Sequence, residues 1–461
     1  MKAAAPIDPA ALSQLAEIFS GQLLLPGDDG YETARRVHNG MIDKRPAVIA
    51  RCLGVVDVVE ALGFAIERDL EIAVRGGGHN VAGRAVCDDG MMVDLSLMKG
   101  VHVDAAAGTA RAQPGVTWGE FNRETQLYEL ATTGGLISST GVAGLTLGGG
   151  FGYLMGKHGL SVDNLKSAEL VMAGGEVMRV SDDENPELFW GIRGGGGNFG
   201  VVTSFEFDLH SVGPLVEGGM IAYPAQQASD MLRFFRDVTG DLPDALSMLA
   251  GLAHAPDGSG TQLAAMLACH CGGQAEARPS IDSIKAHGSP VVDHLGPIAY
   301  TTINTLLDKA LPRLALNYWK SSFIAALTDE VIQILIEQFR ACPSPMGRLI
   351  LEHFHGEAVA PKPDATAFPH RQAGYNILII AQWQNPDDNA RNIAWAKATY
   401  AALEPYMRSG VYSNYMSDDE PAARVQMAFG ENFQRLRALK SRYDPENRFH
   451  LNQNIPPSPV S

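Results

Sequence analysis

Ile72-Ala73-Val74-Arg75-Gly76-Gly77-Gly78-His79-Asn80 is the stretch from which the rest of the chain is read. Ile72 and Val74 close a buried strand, and three glycines then permit a sharp turn and a close backbone approach. His79 stands at the lip of that turn, where backbone would meet a ligand. Successive N–H groups in such a turn form a concave donor site suited to a pyrophosphate. Two readings fit these letters alone: a phosphate-cradling loop with a nucleophilic or ligating histidine, and a tight glycine turn with a surface histidine.

Working outward, Pro46–Ala50 reads as a short strand. Asp57 is the expected N-cap of a helix running to about Arg68, with Val58, Val59, Leu62, Ala65 and Ile66 on one face. With the strand before Arg75 this makes a strand–helix–strand unit of α+β or α/β character. Upstream, residues 1–45 read as helix and then loop, turning at Pro26-Gly27-Asp28. Downstream, 91–95 and 108–113 are strand-like and a helix is expected near Thr117–Glu129. Residues 134–152 are too rich in glycine for a regular element. Their Leu136, Ile137, Val142, Leu145 and Leu147 argue against a free loop, and an irregular apolar backbone is buried only where something satisfies its amides. A ligand-wrapping segment is expected there.

Gly195-Gly196-Gly197-Asn198-Phe199-Gly200 fits the dinucleotide fingerprint by letter. That site needs a helix immediately afterwards, whereas Val201–Leu209 alternates with period two and reads as a strand. A Rossmann site is rejected.

The chain has 461 residues, enough for two or three domains, and a net charge of −16, which disfavours nucleic acid and anionic membrane as partners. Its five cysteines are unpatterned, as expected in a reducing compartment. Met1–Ala11 has no leader-like apolar core and no later run is apolar enough to span a bilayer, so a cytoplasmic protein is expected. Past Val212 the glycine clusters stop. Strands at 218–223, 247–253, 262–271 and 373–383 alternate with helices, one capped by Thr328 and one over 389–403, giving a second domain of antiparallel sheet plus helices. Cys269-His270-Cys271 offers metal-ligating letters, but alternation along a strand sends His270 away from both cysteines. Core cysteines are expected. Tyr412–Tyr415 reads as a short strand before a helix carrying Phe429, Phe433, Leu436 and Tyr443. Asn452 and Asn454 bunch amides at the apolar terminus.

Together Arg75–Asn80, Gly148-Gly-Gly-Phe-Gly152, Gly159–Leu165, Leu188–Gly200, Asn317-Tyr-Trp-Lys320 and Tyr443–Asn447 resemble the berberine-bridge-enzyme-like FAD-linked oxidases of the vanillyl-alcohol-oxidase superfamily. The resemblance spans nearly the whole chain. It implies an α+β fold: a two-part PCMH-type FAD-binding domain, residues 1–212 (core about 42–212) and 405–461, with an inserted substrate domain, 213–404, of antiparallel sheet plus helices.

It implies FAD bonded to His79 through the flavin 8α-methyl. Ile137 stands where many relatives carry a second, cysteinyl link, so a single bond is expected. Thr140 takes the position that gates oxygen in plant members. Cofactor contacts are expected from Arg75, Gly76, Gly77, Gly78, Asn80 and Gly83, and from Gly135, Ser139, Thr140, Gly141, Gly144, Gly148, Gly149, Gly150, Gly152 and Tyr153. Val201, Val202, Tyr412, Asn414, Asn452 and Asn454 complete that set.

The implied reaction removes hydride from a carbon bearing a hydroxyl or amine in a small molecule, with O₂ reoxidising the flavin to give H₂O₂. Tyr412, in the Tyr-x-Asn motif, is the expected base. Tyr153, Lys320 and Gln382 are expected at the substrate, Tyr415 on the opposite strand face in the core, and Glu352 and His353 on a neighbouring strand. A dehydrogenase using another acceptor and a non-catalytic flavin carrier are the alternatives.

Overall fold

A computed structural model describes residues 7–458; most of Met1–Ala11 therefore lies outside the described residues. Around the opening stretch, Gln22–Leu24, Val48–Arg51, Met91–Asp94 and Ile72–Arg75 form a four-stranded sheet in that order. Its last two neighbour pairs are parallel. Parallel strands need a crossover, and the helix Val55–Glu67 supplies it, burying Val58, Ala61, Leu62 and Ala65 against the sheet. That helix is capped by Gly54, not by Asp57. Asp57 stands in the first turn, and its carboxylate accepts the N–H groups of Ser20 and Leu53, both at 2.8 Å. The acid satisfies the chain entering the helix in place of the helix's own amides.

A second, antiparallel sheet of five strands follows, in the order Val101–Asp104, Thr109–Ala112, Val201–Asp208, Leu165–Val171, Val177–Ser181. Val201–Asp208 is its central strand, so the glycine fingerprint before it leads into a sheet, as its alternation requires. The segment 134–152 departs from expectation at one point: Val142–Leu147 forms a short helix. Val142, Ala143 and Leu147 pack into the core under the five-stranded sheet, and this tertiary burial outweighs the poor helix propensity of Gly144.

The third sheet has eight antiparallel strands. Toward one edge Leu246–His254, Arg348–Phe354, Gly374–Trp383 and Leu316–Ile324 lie side by side in that order, the last as the end strand. Every residue of the last two strands is buried, because both faces are covered. One face carries Leu349, Leu351, Ile377, Ile379 and Trp383 and packs with the helices Ala228–Thr239, Asp329–Arg340 and Asn389–Leu403. The other carries Leu249, Ile350, Glu352, Leu378, Ile380 and Trp319, cross-strand neighbours by register. That second face looks onto the glycine-rich domain.

The chain then returns. Met416, Phe429, Phe433, Leu436 and Leu439 join the core of the five-stranded sheet, and Phe449 joins that of the four-stranded one. Lys440, fully buried, fastens this return, its Nζ donating to Asp444 Oδ2 at 2.7 Å, Asn198 carbonyl at 2.6 Å and Phe449 carbonyl at 2.9 Å. Truncating one partner of such a buried pair strands the other charge, at a cost of about 3–5 kcal/mol. Asp444→Ala is therefore expected to lower the urea midpoint of unfolding by an amount corresponding to about 3 kcal/mol. Glu446→Ala, which removes an exposed partner of Arg448, is expected to cost under about 1 kcal/mol.

Candidate active site

Two glycine loops meet backbone to backbone. A Cβ added at Gly77 would lie 2.6 Å from Gly141 Cα, and one at Gly141 would lie 2.6 Å from Gly77 N. No side chain fits between them, so both positions need glycine. From this contact a single large cavity opens, walled by Gly76, Gly77, Gly78, His79 and Asn80 on one side and Gly135, Ile137, Thr140, Gly141 and Gly144 on another. Gly195–Asn198, Val201, Val202, Asn414 and Asn452 continue the wall, and the inner face of the eight-stranded sheet closes it as a roof.

The imidazole of His79 stands on the wall, stacked on His38 with ring centroids 3.9 Å apart. Burial pushes its pKa down to about 3, so the ring is neutral and carries a free lone pair at pH 7. His79 Nε2, Arg84 Nε, Asn452 Oδ1 and Gln453 Nε2 are enclosed without a partner among the described residues, and all four residues line the cavity. Buried polar groups are ordinarily paired. A polar ligand with phosphate and heterocycle edges, set against glycine amides, satisfies what the protein leaves open.

On the roof the polar group is Glu352, 1% exposed. It arises as the one acid in Leu349-Ile350-Leu351-Glu352, and strand alternation turns it to the cavity face. Tyr415 Oη donates to its Oε1 at 2.9 Å and Asn376 Nδ2 to its Oε2 at 2.7 Å. Desolvation raises its pKa to about 7, and the two hydrogen bonds oppose that rise.

Several expected site residues stand elsewhere. Tyr412 does not line the cavity. Its hydroxyl accepts from Gly150 N–H at 3.0 Å and Asn414 Nδ2 at 2.8 Å, and its ring stacks on Phe151 at 3.8 Å. The cause is local: Ser413–Tyr415 is a 3₁₀ turn, not a strand. Asn414 and Tyr415 therefore face the cavity while Tyr412 packs behind the glycine turn, so strand alternation misassigned the two tyrosines. Burial raises both phenols above their usual range.

Lys320 lies on the sheet face away from the cavity and is bound by Glu420 at 2.5 Å. Gln382 shares the inner face but is held at its edge between Asn317 Oδ1 at 3.1 Å and Arg348 at 3.0 Å. Tyr153 is buried beside Leu154, Tyr300 and Cys269. Arg75 turns its guanidinium to Ala34 and Asp94, behind the loop it precedes. Gly83 packs on Ile42, and Gly152 on the Gly134 carbonyl. Ser139 is exposed. Gly148, Gly149, Gly150 and Asn454 also stand off the wall, the first packed against Asn414 and the next two under Phe368, Tyr412 and Ser161.

Arg84, Asn198, Gln453 and the apolar roof were not legible as site residues. The roof's only signal was its parity along each strand. Cys269 and Cys271 are buried and unpaired, and no group of three or more His, Cys, Asp or Glu among the described residues is arranged for a metal.

A cavity between two touching glycine loops, edged by a neutral histidine and roofed by an acid on an apolar sheet, defines a flavin-dependent oxidoreductase. Residues 46–181 match the family model described as FAD binding domain, and residues 411–456 match the berberine and berberine-like model. An FAD-linked oxidoreductase of Dictyostelium discoideum is 31% identical over 451 residues, covering 97% of both chains. The (R)-6-hydroxynicotine oxidase of Paenarthrobacter nicotinovorans is 33% identical, covering 96% of this chain and 99% of its own. The solved structure of 6-hydroxy-D-nicotine oxidase from Arthrobacter nicotinovorans superposes with a TM-score of 0.88 at 31% identity, covering 95% of this chain and 98% of that one.

The chain belongs to the berberine-bridge-enzyme-like family of FAD-linked oxidoreductases, and FAD is its cofactor. Gly77→Val would force the two loops apart. The purified variant is expected to retain under about a tenth of the wild-type flavin, read from its visible absorbance.

Proposed function

We propose that the protein is an oxidase that takes hydride from a carbon bearing a hydroxyl or amine in a small organic molecule, with Glu352 as the base. The observation that carries this reading is the pair Glu352–Tyr415, facing the same cavity as the glycine loops and His79. FAD, held by the glycine loops and His79, would supply the hydride acceptor, with O₂ as the final oxidant giving H₂O₂. The carbon gives up its hydrogen with both bonding electrons. The hydroxyl or amino proton goes to Glu352, and the product keeps the new double bond.

A carboxyl poised near neutrality is a better base at pH 7 than a phenol far above its usual pKa. Each Glu352 oxygen accepts one hydrogen bond from the protein, which leaves it lone pairs for the substrate. Tyr415 and Asn376 fix the direction in which those lone pairs point. Around them Leu249, Ile350, Leu378 and Ile380 exclude water, which strengthens that interaction.

Within this reading His79 forms the covalent link, since its neutral ring retains the lone pair a bond to the flavin methyl requires. Ile137 lies on the wall and no cysteine does, which supports a single link. Free, mostly buried cysteines suit a cytoplasmic setting. The alternative of a non-oxygen electron acceptor draws on Thr140, which also lines the cavity. Rapid reoxidation of the reduced enzyme in air decides against it.

Four outcomes test the reading. Protein precipitated in acid is expected to hold its yellow flavin, and His79→Ala to release it; a colourless wild-type pellet contradicts the link. Glu352→Gln is expected to slow anaerobic flavin reduction about 10²–10⁴-fold. In the wild type kcat/KM rises with pH through about 7, since the base acts only when ionised. Tyr415→Phe removes a hydrogen bond that favours the ionised form, so it moves that rise to higher pH.

A further inference from the structure

Between Ile303 and the end strand of the eight-stranded sheet, the chain crosses the side of the cavity. Leu307 and Leu311 of this crossing line the cavity and join the apolar cluster of Ile137, Trp319 and Ile380. Its regular structure past Ile303 is one 3₁₀ turn, Asp308–Ala310. A segment with so little secondary structure takes its position from the few bonds it makes.

Those bonds go to two different walls. Asn304 Nδ2 donates to the Gly135 carbonyl at 2.6 Å. The Asp308 carboxylate accepts both donors of Ser138, the N–H at Oδ1, 2.9 Å, and the hydroxyl at Oδ2, 2.5 Å. Two donors on two oxygens fix direction as well as distance. Ser138 lies in a turn closed by Thr140 N–H on the Ile137 carbonyl at 3.1 Å. Backbone N–H groups of Gly119 and Trp118 hold the Ser138 and Thr140 carbonyls from behind, at 2.8 and 2.9 Å. Asp308 is the only side chain among the described residues that hydrogen-bonds this turn, and both Ile137 and Thr140 line the cavity.

The other end of the crossing reaches the wall that carries His79. Leu314 N–H donates to the His38 carbonyl at 2.8 Å and the Arg313 guanidinium to the Arg36 carbonyl at 3.0 Å. The His38 ring is the one stacked on His79. Leu314 has a φ of 67°, a backbone conformation unfavourable for a bulky side chain, which persists only where its surroundings hold it. The carboxylate and the strained leucine are the two attachments of one strut.

We propose that Asp308 is a positioning residue of the flavin site: by binding both donors of Ser138 it seats residues 304–314 as a strut between the Ile137–Thr140 turn and the His38–His79 stack, and so sets the spacing of the walls around the cofactor. This goes beyond the oxidase reading and does not rest on it, since it requires the bound flavin alone.

The test compares flavin-loaded wild type with Asp308→Ala, Asp308→Asn and Ser138→Ala. Two readouts are taken: hydrogen–deuterium exchange of the 135–140 backbone, and the visible circular dichroism of the bound flavin, which reports the asymmetry of the walls around it. In Asp308→Ala exchange at 135–140 is expected to rise about tenfold, the loss of one hydrogen bond, and the flavin dichroism to change. Asp308→Asn is expected to restore both readouts, because Oδ1 can accept the Ser138 N–H while Nδ2 donates to its hydroxyl. Ser138→Ala, which keeps the N–H bond and loses the other, falls between. Lys309→Ala, at an exposed neighbour, is expected to change neither.

Either readout unchanged in Asp308→Ala overturns the proposal. So does an Asp308→Asn variant as damaged as Asp308→Ala, which would make the charge and not the bond geometry the cause. A lowered unfolding temperature with exchange raised evenly along the chain and wild-type flavin dichroism would leave Asp308 a general stabilising role and remove the positioning one. If Asp308→Ala does not fold, Ser138→Ala decides: wild-type dichroism in that variant overturns the proposal, and an altered signal restored by Ser138→Thr supports it.

Discussion

A carboxyl group with two neutral hydrogen-bond partners, set in an otherwise apolar sheet face, is the constraint on which the site depends. Burial makes ionisation of Glu352 costly, and the Tyr415 hydroxyl and Asn376 amide return part of that cost. The balance places proton exchange near neutral pH. A charged neighbour would have fixed the acid as a permanent anion, and an exposed position would have left it a weak base. The eight-stranded sheet makes this possible by being covered on both sides, since an acid on a solvent-washed face would not have its pKa raised.

The opposite wall works by a different rule. Where Gly77 meets Gly141, two backbones occupy space that any side chain would deny them, and their N–H groups line a crevice without competition. Tyr412 stands behind this wall. Its phenol, accepting from Gly150 N–H and Asn414, holds Gly148–Gly150 against the returning chain from 411 onward. Lys440 does the same for Gly195–Gly200 through the Asn198 carbonyl. The C-terminal return thus braces both glycine segments from behind, which is why a cavity built from irregular backbone keeps its shape.

Much of this was legible in the letters because burial imposes period. The sheet strands announced themselves by continuous or alternating apolar residues, and the glycine clusters by being too apolar for loops and too flexible for helices. The fingerprint at Gly195–Gly200 was correctly refused a Rossmann role, because Val201–Asp208 is a strand, yet its loop still lines the cavity. What was not legible was parity. Nothing local says whether Trp319 or Lys320 faces the ligand, since both strand faces are buried and both neighbours of a given residue can be apolar. The choice is made by the partner layer, helices on one side and flavin domain on the other. Tyr412 and Tyr415 were exchanged for a related reason: a three-residue turn replaced an assumed two-residue repeat. Glu352 did carry a signal, an acid inside the run Leu349–Phe354, but its significance required knowing which face it joined.

The measurement that bears most directly on the account is the infrared absorption of the Glu352 carboxyl across the pH range. The account predicts a protonated-carboxyl band in the flavin-loaded protein that fades as pH rises through about 7 and is missing in Glu352→Gln. A Glu352 that stays ionised from about pH 5 to about pH 9, with no such band, would show an ordinary solvated acid. It would contradict the reading of Glu352 as a desolvated base under the roof.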